Sequence, residues 1–162
     1  MGTPIHRFHV GHDDGAGRMY FEVRLFADEA AMREHYRRSS VLAGRKAAGE
    51  NDGWLAETAA MCCPRSTGYV DRAGELTWWP IIGYILFPLQ HVTTPIVTHE
   101  LVHAALTYYR ERRWRTGHPS AANFGDHCSS REEDLGHIFS GLVAEMTDRL
   151  YERGLWGSEA SP

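Results

Sequence analysis

The chain has 162 residues, of which 43% are hydrophobic and 23% are charged, and its net charge is −4 at pH 7. These values are ordinary for a globular domain, and a chain of this length can bury a sizeable core. We therefore expect a single domain, with residues 1–17 and 154–162 as loose termini. The net charge gives no argument for nucleic acid as a partner, and we expect none. No apolar run approaches the roughly 20 residues of a membrane span, so we expect no membrane partner either.

Cysteine usage and the first residues bear on the compartment. Three cysteines are too few for a disulfide framework, and Cys62 and Cys63 are adjacent in the sequence. The segment from Met1 to Arg18 is polar and rich in His and Gly, without the apolar stretch of a signal peptide. These features predict a cytoplasmic protein, and they leave its oligomeric state open.

The first half of the chain predicts a small α+β arrangement. The segment RMYFEVRLF at residues 18–26 is aromatic and β-branched, which favours a strand. Asp28 is a suitable N-cap for a helix from Glu29 to about Arg38. Further strands are predicted at residues 57–63, in a hairpin of residues 68–71 and 75–79, and at residues 81–87.

A long helix is predicted next, from Ile96 to about Arg115. Thr94 is a suitable N-cap, and Pro95 fits the first helical position, where no backbone N–H is needed. Apolar residues recur at helical spacing, and Gly117 marks the end after a basic last turn. A final helix is predicted from Arg131 to about Arg153. Its apolar stripe must pack on the preceding helix or on the sheet.

The sequence H-E-x-x-H lies within the first of these long helices, as His99, Glu100 and His103. Positions i and i+4 share one helix face, so two imidazoles at this spacing can bind one Zn²⁺ ion. The intervening Glu can accept a proton from a zinc-bound water. The motif therefore predicts a zinc centre, with Glu100 as the catalytic base.

A catalytic zinc ion usually has three protein ligands, and the third is not fixed by the motif. Leu106 and Tyr109 occupy the positions where metzincins require Gly and His, which excludes that class. A Cys ligand, as in peptide deformylases, would have to come from Cys62 or Cys63, whose surroundings do not match that family. The remaining source is a Glu on the final helix.

Glu133 and Glu132 are the acidic candidates at the start of that helix. Each also forms a capping box, with Ser130 and Ser129 respectively, so either could serve only to start the helix. His118, Asp126, His127 and His137 are further candidates.

Together these residues resemble the gluzincin metallopeptidases. The order of a strand, an H-E-x-x-H helix, a loop and a Glu-bearing helix matches that family. The segment EDLGHIF at residues 133–139 with Leu142-Val143 is similar to the thermolysin-type pattern around its Glu ligand. The resemblance covers residues 81–146. In size, the chain is closer to a minimal gluzincin, or to the short zincin domains of phage and bacterial genomes, than to thermolysin.

The resemblance implies an α+β, zincin-like fold with His99, His103 and Glu133 as the zinc ligands. It implies a peptidase that acts on peptide or protein substrates through a metal-activated water, with Glu100 as base. The segment Ile81–Phe87 would be an edge strand that binds substrate by strand addition, with an ordinary buried strand as the alternative. His127 is our preferred oxyanion donor among His118, His137, Tyr108 and Tyr109.

One feature of the resemblance is altered, because His137 stands where thermolysin-type enzymes have an Asp that hydrogen-bonds a zinc-binding His. An alternative function is therefore a zincin-fold regulatory or binding module with weak or no peptidase activity. Activity on peptides would separate the two functions, and zinc content would separate both from a structural protein with a chance motif.

Overall fold

The computed structural model describes residues 2–12, 18–38, 53–65, 68–115 and 128–156. In these segments the chain forms six strands and three α-helices. The strands are β1 (His6–His12), β2 (Met19–Phe26), β3 (Met61–Pro64), β4 (Gly68–Val70), β5 (Leu76–Trp78) and β6 (Ile81–Pro88). The helices are α1 (Glu29–Arg37), α2 (Thr94–Arg115) and α3 (Cys128–Tyr151).

The main sheet is mixed, with the strand order β1-β2-β6-β3. The central pair β2 and β6 is parallel, whereas the outer strands β1 and β3 are each antiparallel to their neighbour. Strands β4 and β5 form a separate antiparallel hairpin. The predicted α+β class with a small mixed sheet is confirmed.

Helices cover both faces of the main sheet. On one face, the strands pack with α2 and α3 around a large cluster that includes Phe21, Ile85, Leu101, Tyr108 and Leu142. On the other face, α1 and the 3₁₀ turn Gly53–Glu57 enclose a smaller cluster. Among the described helices, none is both long and apolar enough to cross a bilayer.

Local sequence signals account for several element boundaries. The Asp28 carboxylate accepts a hydrogen bond from the Ala31 N–H at 2.8 Å, as expected of an N-cap. In the β4–β5 turn, Asp71 accepts hydrogen bonds from the backbone of Ala73 and Glu75, and Gly74 adopts a positive φ of 86°. These turn and cap residues fix where α1 begins and where the hairpin reverses.

Two expectations need correction. Strand β6 is not an edge strand, because β2 and β3 flank it on its two sides. The edge strand next to α2 is β3 instead. It pairs with β6, which lies about 20 residues away in sequence, and local sequence patterns do not predict such a pairing. The N-terminal residues are not all loose, since His6–His12 form β1 at the opposite edge of the sheet.

Gly83 allows β3 to pack closely on β6. A Cβ atom at this position would lie 2.7 Å from the carbonyl oxygen of Cys63 and 2.7 Å from the Phe21 ring. We expect Gly83→Ala to lower the free energy of unfolding by about 1–3 kcal/mol, because backbone and a buried ring must shift. Chemical denaturation measures this change.

Gly136→Ala is the matched control for that substitution. A Cβ atom at Gly136, on α3, meets no atom within 4 Å. Helix propensity favours Ala there by up to about 1 kcal/mol, so we expect equal or higher stability. Equal unfolding free energies for native protein and Gly83→Ala would contradict the close packing of β3.

Candidate metal centre

Helix α2 has one buried face and another, exposed face that carries the two histidines of the motif. Val97, Leu101, Ala104 and Tyr108 are buried against the sheet and α3, at the spacing expected of an amphipathic helix. His99 and His103 are exposed on another side of the same helix. The predicted helix, and the shared face of the two histidines, are therefore confirmed.

The two imidazoles point their Nε2 atoms toward each other at 3.2 Å. Two Zn–N bonds of 2.0–2.1 Å at a tetrahedral angle would separate their nitrogens by about 3.3–3.4 Å. The observed separation fits such a pair of ligands, and it equally fits an N–H···N hydrogen bond between a donor and an acceptor nitrogen. Imidazole is among the nitrogen ligands that zinc prefers, so this pair could supply two of the ligands of a zinc ion.

Glu100 lies between the two histidines in sequence but is buried, with 6% of its surface exposed. The backbone N–H of Cys62 donates a hydrogen bond to its carboxylate. Burial raises the pKa of the Glu100 carboxyl group, while the two imidazoles and the Cys62 N–H oppose that shift. A raised pKa makes the carboxylate a stronger base, which suits a group that accepts and returns a proton.

Strand β3 lies at the edge of the sheet, beside Glu100, and no other described strand pairs with its outer side. The Arg65 N–H donates a hydrogen bond to the Ile82 carbonyl. Because hydrogen-bonded residues alternate along an antiparallel strand, the N–H and C=O of Cys63 point toward β6, and the backbone polar groups of Cys62 and Pro64 point outward. The Cys62 N–H is bonded to Glu100 and Pro64 has no N–H. The outward edge of β3 therefore offers carbonyl acceptors and no free donor at these two residues.

The motif opens into a cavity of about 670 Å³ between α2, β3 and the end of α1. This volume is in the range of small-molecule and peptide side-chain sites. The residues that line it are Tyr36, Trp54, Thr58, Ala60, Met61, Cys62, Cys63, Pro64, His99, Glu100, His103, Leu106, Thr107 and Arg110. The cavity thus places the two imidazoles and Glu100 in one concave site.

Cys62 lines this cavity, as an upstream Cys ligand would have to. Burial raises the pKa of the Cys62 thiol well above its usual range, and Cys63 and Glu100 add to the shift. Metal binding requires the thiolate, which this environment disfavours as long as no metal ion is bound. We therefore treat Cys62 as part of the cavity wall.

The third ligand is not brought to the imidazoles in the described segments. Glu133, Glu132 and His137 are exposed on α3. Within the described residues, no group of three or more His, Cys, Asp or Glu side chains is arranged to hold a metal ion. His118, Asp126 and His127 lie outside the described residues. The structure thus assembles His99, Glu100 and His103, and Glu133 stays a prediction.

Two of the candidate oxyanion donors point elsewhere. Tyr108 is fully buried and donates its hydroxyl hydrogen bond to the backbone carbonyl of His12. The Tyr109 hydroxyl accepts a hydrogen bond from Arg113 at 2.9 Å. Neither tyrosine lines the cavity. His127, our preferred donor, cannot be assigned a position, because it lies outside the described residues.

Sequence reasoning missed the walls of the cavity. Trp54, Thr58 and the β3 edge come from the first half of the chain, and only tertiary pairing brings them to α2. Arg110 could have been found, because it follows His103 by two helical turns on the same face of α2.

No protein-family model matches the chain, and no match is found among curated proteins or solved structures.

Proposed function

We propose that the protein is a zinc-dependent metallopeptidase that hydrolyses peptide bonds, with a zincin-like fold. One observation carries the proposal. The His99 and His103 Nε2 atoms lie 3.2 Å apart, in a cavity that also contains the buried Glu100. Two imidazoles at zinc-ligand spacing beside a buried carboxyl group are the components of metal-assisted hydrolysis.

When bound, zinc would polarise the substrate carbonyl and lower the pKa of water. Glu100 would take the proton of the attacking water on a carboxylate oxygen and transfer it to the departing amine. The Cys62 N–H holds this carboxylate in place, so β3 orients the base as well as bounding the cavity.

The free edge of β3 supports a peptide as the substrate. An extended segment beside β3 can donate its own N–H groups to the outward carbonyls of Cys62 and Pro64. This role was expected of Ile81–Phe87, and we now propose it for β3, since among the described strands only β3 combines an unpaired edge with a position on the cavity.

We retain Glu133 as the proposed third zinc ligand. Its support is the resemblance of residues 133–139 to the gluzincin ligand helix. Helix α3, which carries Glu133, packs against α2, which carries both imidazoles.

A second candidate function is a zincin-fold binding or regulatory module with weak or no peptidase activity. It is favoured by the fact that only two of the three expected ligands come together within the described segments. The same cavity would then bind a peptide without cleaving it.

Metal analysis tests the proposal directly. We expect about one zinc per chain, and we expect His99→Ala and His103→Ala each to lower zinc affinity by at least about 100-fold, because either change leaves one imidazole. Isothermal titration with zinc measures the affinity of each variant.

His9→Ala is the control for that experiment, since His9 is exposed on β1 at the far edge of the sheet. It should bind zinc as the native protein does. A native protein that binds no zinc, or a His9→Ala variant that loses as much zinc affinity as His99→Ala and His103→Ala, would overturn the metal centre and with it both candidate functions.

A further inference from the structure

Among the residues that the structure describes, the Arg110 guanidinium group lines the cavity without an ion-pair partner. Arg110 is exposed and lines the same cavity as His99, Glu100 and His103. In the described part of the chain it makes no hydrogen bond or ion pair. Other arginines near it are engaged, since Arg113 donates to the Tyr109 hydroxyl and Arg115 pairs with Glu111.

The sequence of α2 explains why Arg110 is unpaired. Its helical neighbours at i−4 and i+4 are Leu106 and Trp114, and those at i−3 and i+3 are Thr107 and Arg113. None is a carboxylate, so the helix supplies no ion-pair partner at the positions where one could reach. The charge is therefore available to a ligand in the cavity.

The position of Arg110 relative to the motif is set by helix geometry. His103 and Arg110 share a face of α2, and seven residues at 1.5 Å each separate them by about 10 Å along the axis. An extended peptide covers that distance in about three residues, at roughly 3.3 Å per residue. The outward carbonyls of β3 run beside the same cavity as far as Pro64.

We propose that Arg110 is a specificity-determining residue that binds a carboxylate of the peptide substrate, two to four residues from the scissile bond. The inference rests on the proposed function, because it assigns a residue to that substrate. A guanidinium group is suited to this role, since its planar donors bind a carboxylate through two parallel hydrogen bonds. The carboxylate is that of an acidic side chain or of the substrate's C-terminus.

The test measures binding and cleavage of synthetic peptides by the full chain loaded with zinc. One set of peptides is blocked at both ends and carries a single Asp, Lys or Ala at each position around the centre. A second set lacks acidic side chains and has a free or an amidated C-terminus. Fluorescence anisotropy gives the dissociation constants, and mass spectrometry gives the cleavage sites.

We expect the native protein to bind its preferred carboxylate-bearing peptides about 5- to 50-fold more tightly than the matched neutral ones. Arg110→Glu should abolish that preference and favour the Lys-bearing peptides, while Arg110→Lys should retain part of it. A preference within the blocked set identifies an acidic side chain, whereas a preference for the free C-terminus identifies the terminal carboxylate.

Arg72→Glu is the matched control, because Arg72 is an exposed arginine in the β4–β5 turn and does not line the cavity. It makes the same charge change and should leave the preference intact. Absence of peptide binding, equal binding of Asp, Lys and Ala peptides with no effect of a free C-terminus, or equal effects of the two charge reversals would overturn the inference.

The outcomes for the two proposals are separable. Carboxylate-dependent binding without cleavage would support the role of Arg110 and contradict the peptidase. Cleavage without any carboxylate preference would support the peptidase and contradict the role of Arg110.

Discussion

Glu100→Gln is expected to lower kcat by about 10²- to 10⁴-fold, because it removes the group that accepts and returns the proton. The amide has almost the same shape, and its oxygen can still accept the hydrogen bond from the Cys62 N–H. Zinc affinity should change little, since the His99 and His103 imidazoles are untouched. Peptide cleavage rates and zinc content, measured on the same preparation, check both expectations.

Glu111→Gln provides the control for this loss. It makes the same chemical change on the same helix, at a residue that pairs with Arg115 outside the cavity. Its kcat should stay close to that of the native protein. Full activity of Glu100→Gln with zinc bound would show that hydrolysis does not use this carboxylate, and the proposed roles of the motif would be wrong.

The residues that could be predicted are those whose partners are close in sequence. His99 and His103 are a helical turn apart, so their shared face follows from helix geometry alone. The Asp28 cap and the turn from Asp71 to Gly74 are also local, and the structure confirms them. Apolar periodicity likewise identified the buried face of α2, because burial against one neighbour repeats with the helical period.

The parts that could not be predicted depend on strand pairing at long range. Strand β6 has a strong apolar run, and the sequence leaves open whether it is an edge strand, as the resemblance implies, or an ordinary buried strand. Such a run is equally typical of a strand buried between two neighbours. In the structure, β6 lies between β2 and β3. The edge strand beside α2 is β3 instead, a strand of four residues whose sequence shows little alternation of apolar and polar residues.

Glu100 combines both kinds of information. Its place in the motif predicts a base, yet its properties come from burial and from the Cys62 N–H, which belong to the tertiary structure. The motif thus identifies the residue, while β3 determines its environment. For Arg110, helix geometry predicts its position on the same face of α2 as His103. Its proposed role depends on a cavity that α2 forms with residues from the first half of the chain.

The third zinc ligand is predicted from the sequence, but the described residues do not bring it to the imidazoles. Its removal is expected to have the second large effect on zinc binding and activity. We expect Glu133→Ala to lower zinc affinity by on the order of 100-fold or more and to abolish cleavage, because two imidazoles alone leave the ion without its third protein ligand. Glu133→Gln should behave similarly, since a neutral amide binds zinc far more weakly than a carboxylate. Zinc titration measures the affinity, and far-UV circular dichroism verifies that α3 is retained.

Glu132→Ala is the control, because it removes the adjacent carboxylate, which is also exposed on α3. On a helix, neighbouring residues point about 100° apart, so only one of the two can face α2. Loss of zinc in Glu132→Ala with full binding in Glu133→Ala would transfer the ligand role by one residue. Loss in Cys62→Ser, with both glutamate variants unaffected, would instead place the third ligand on β3, where the thiol already lines the cavity.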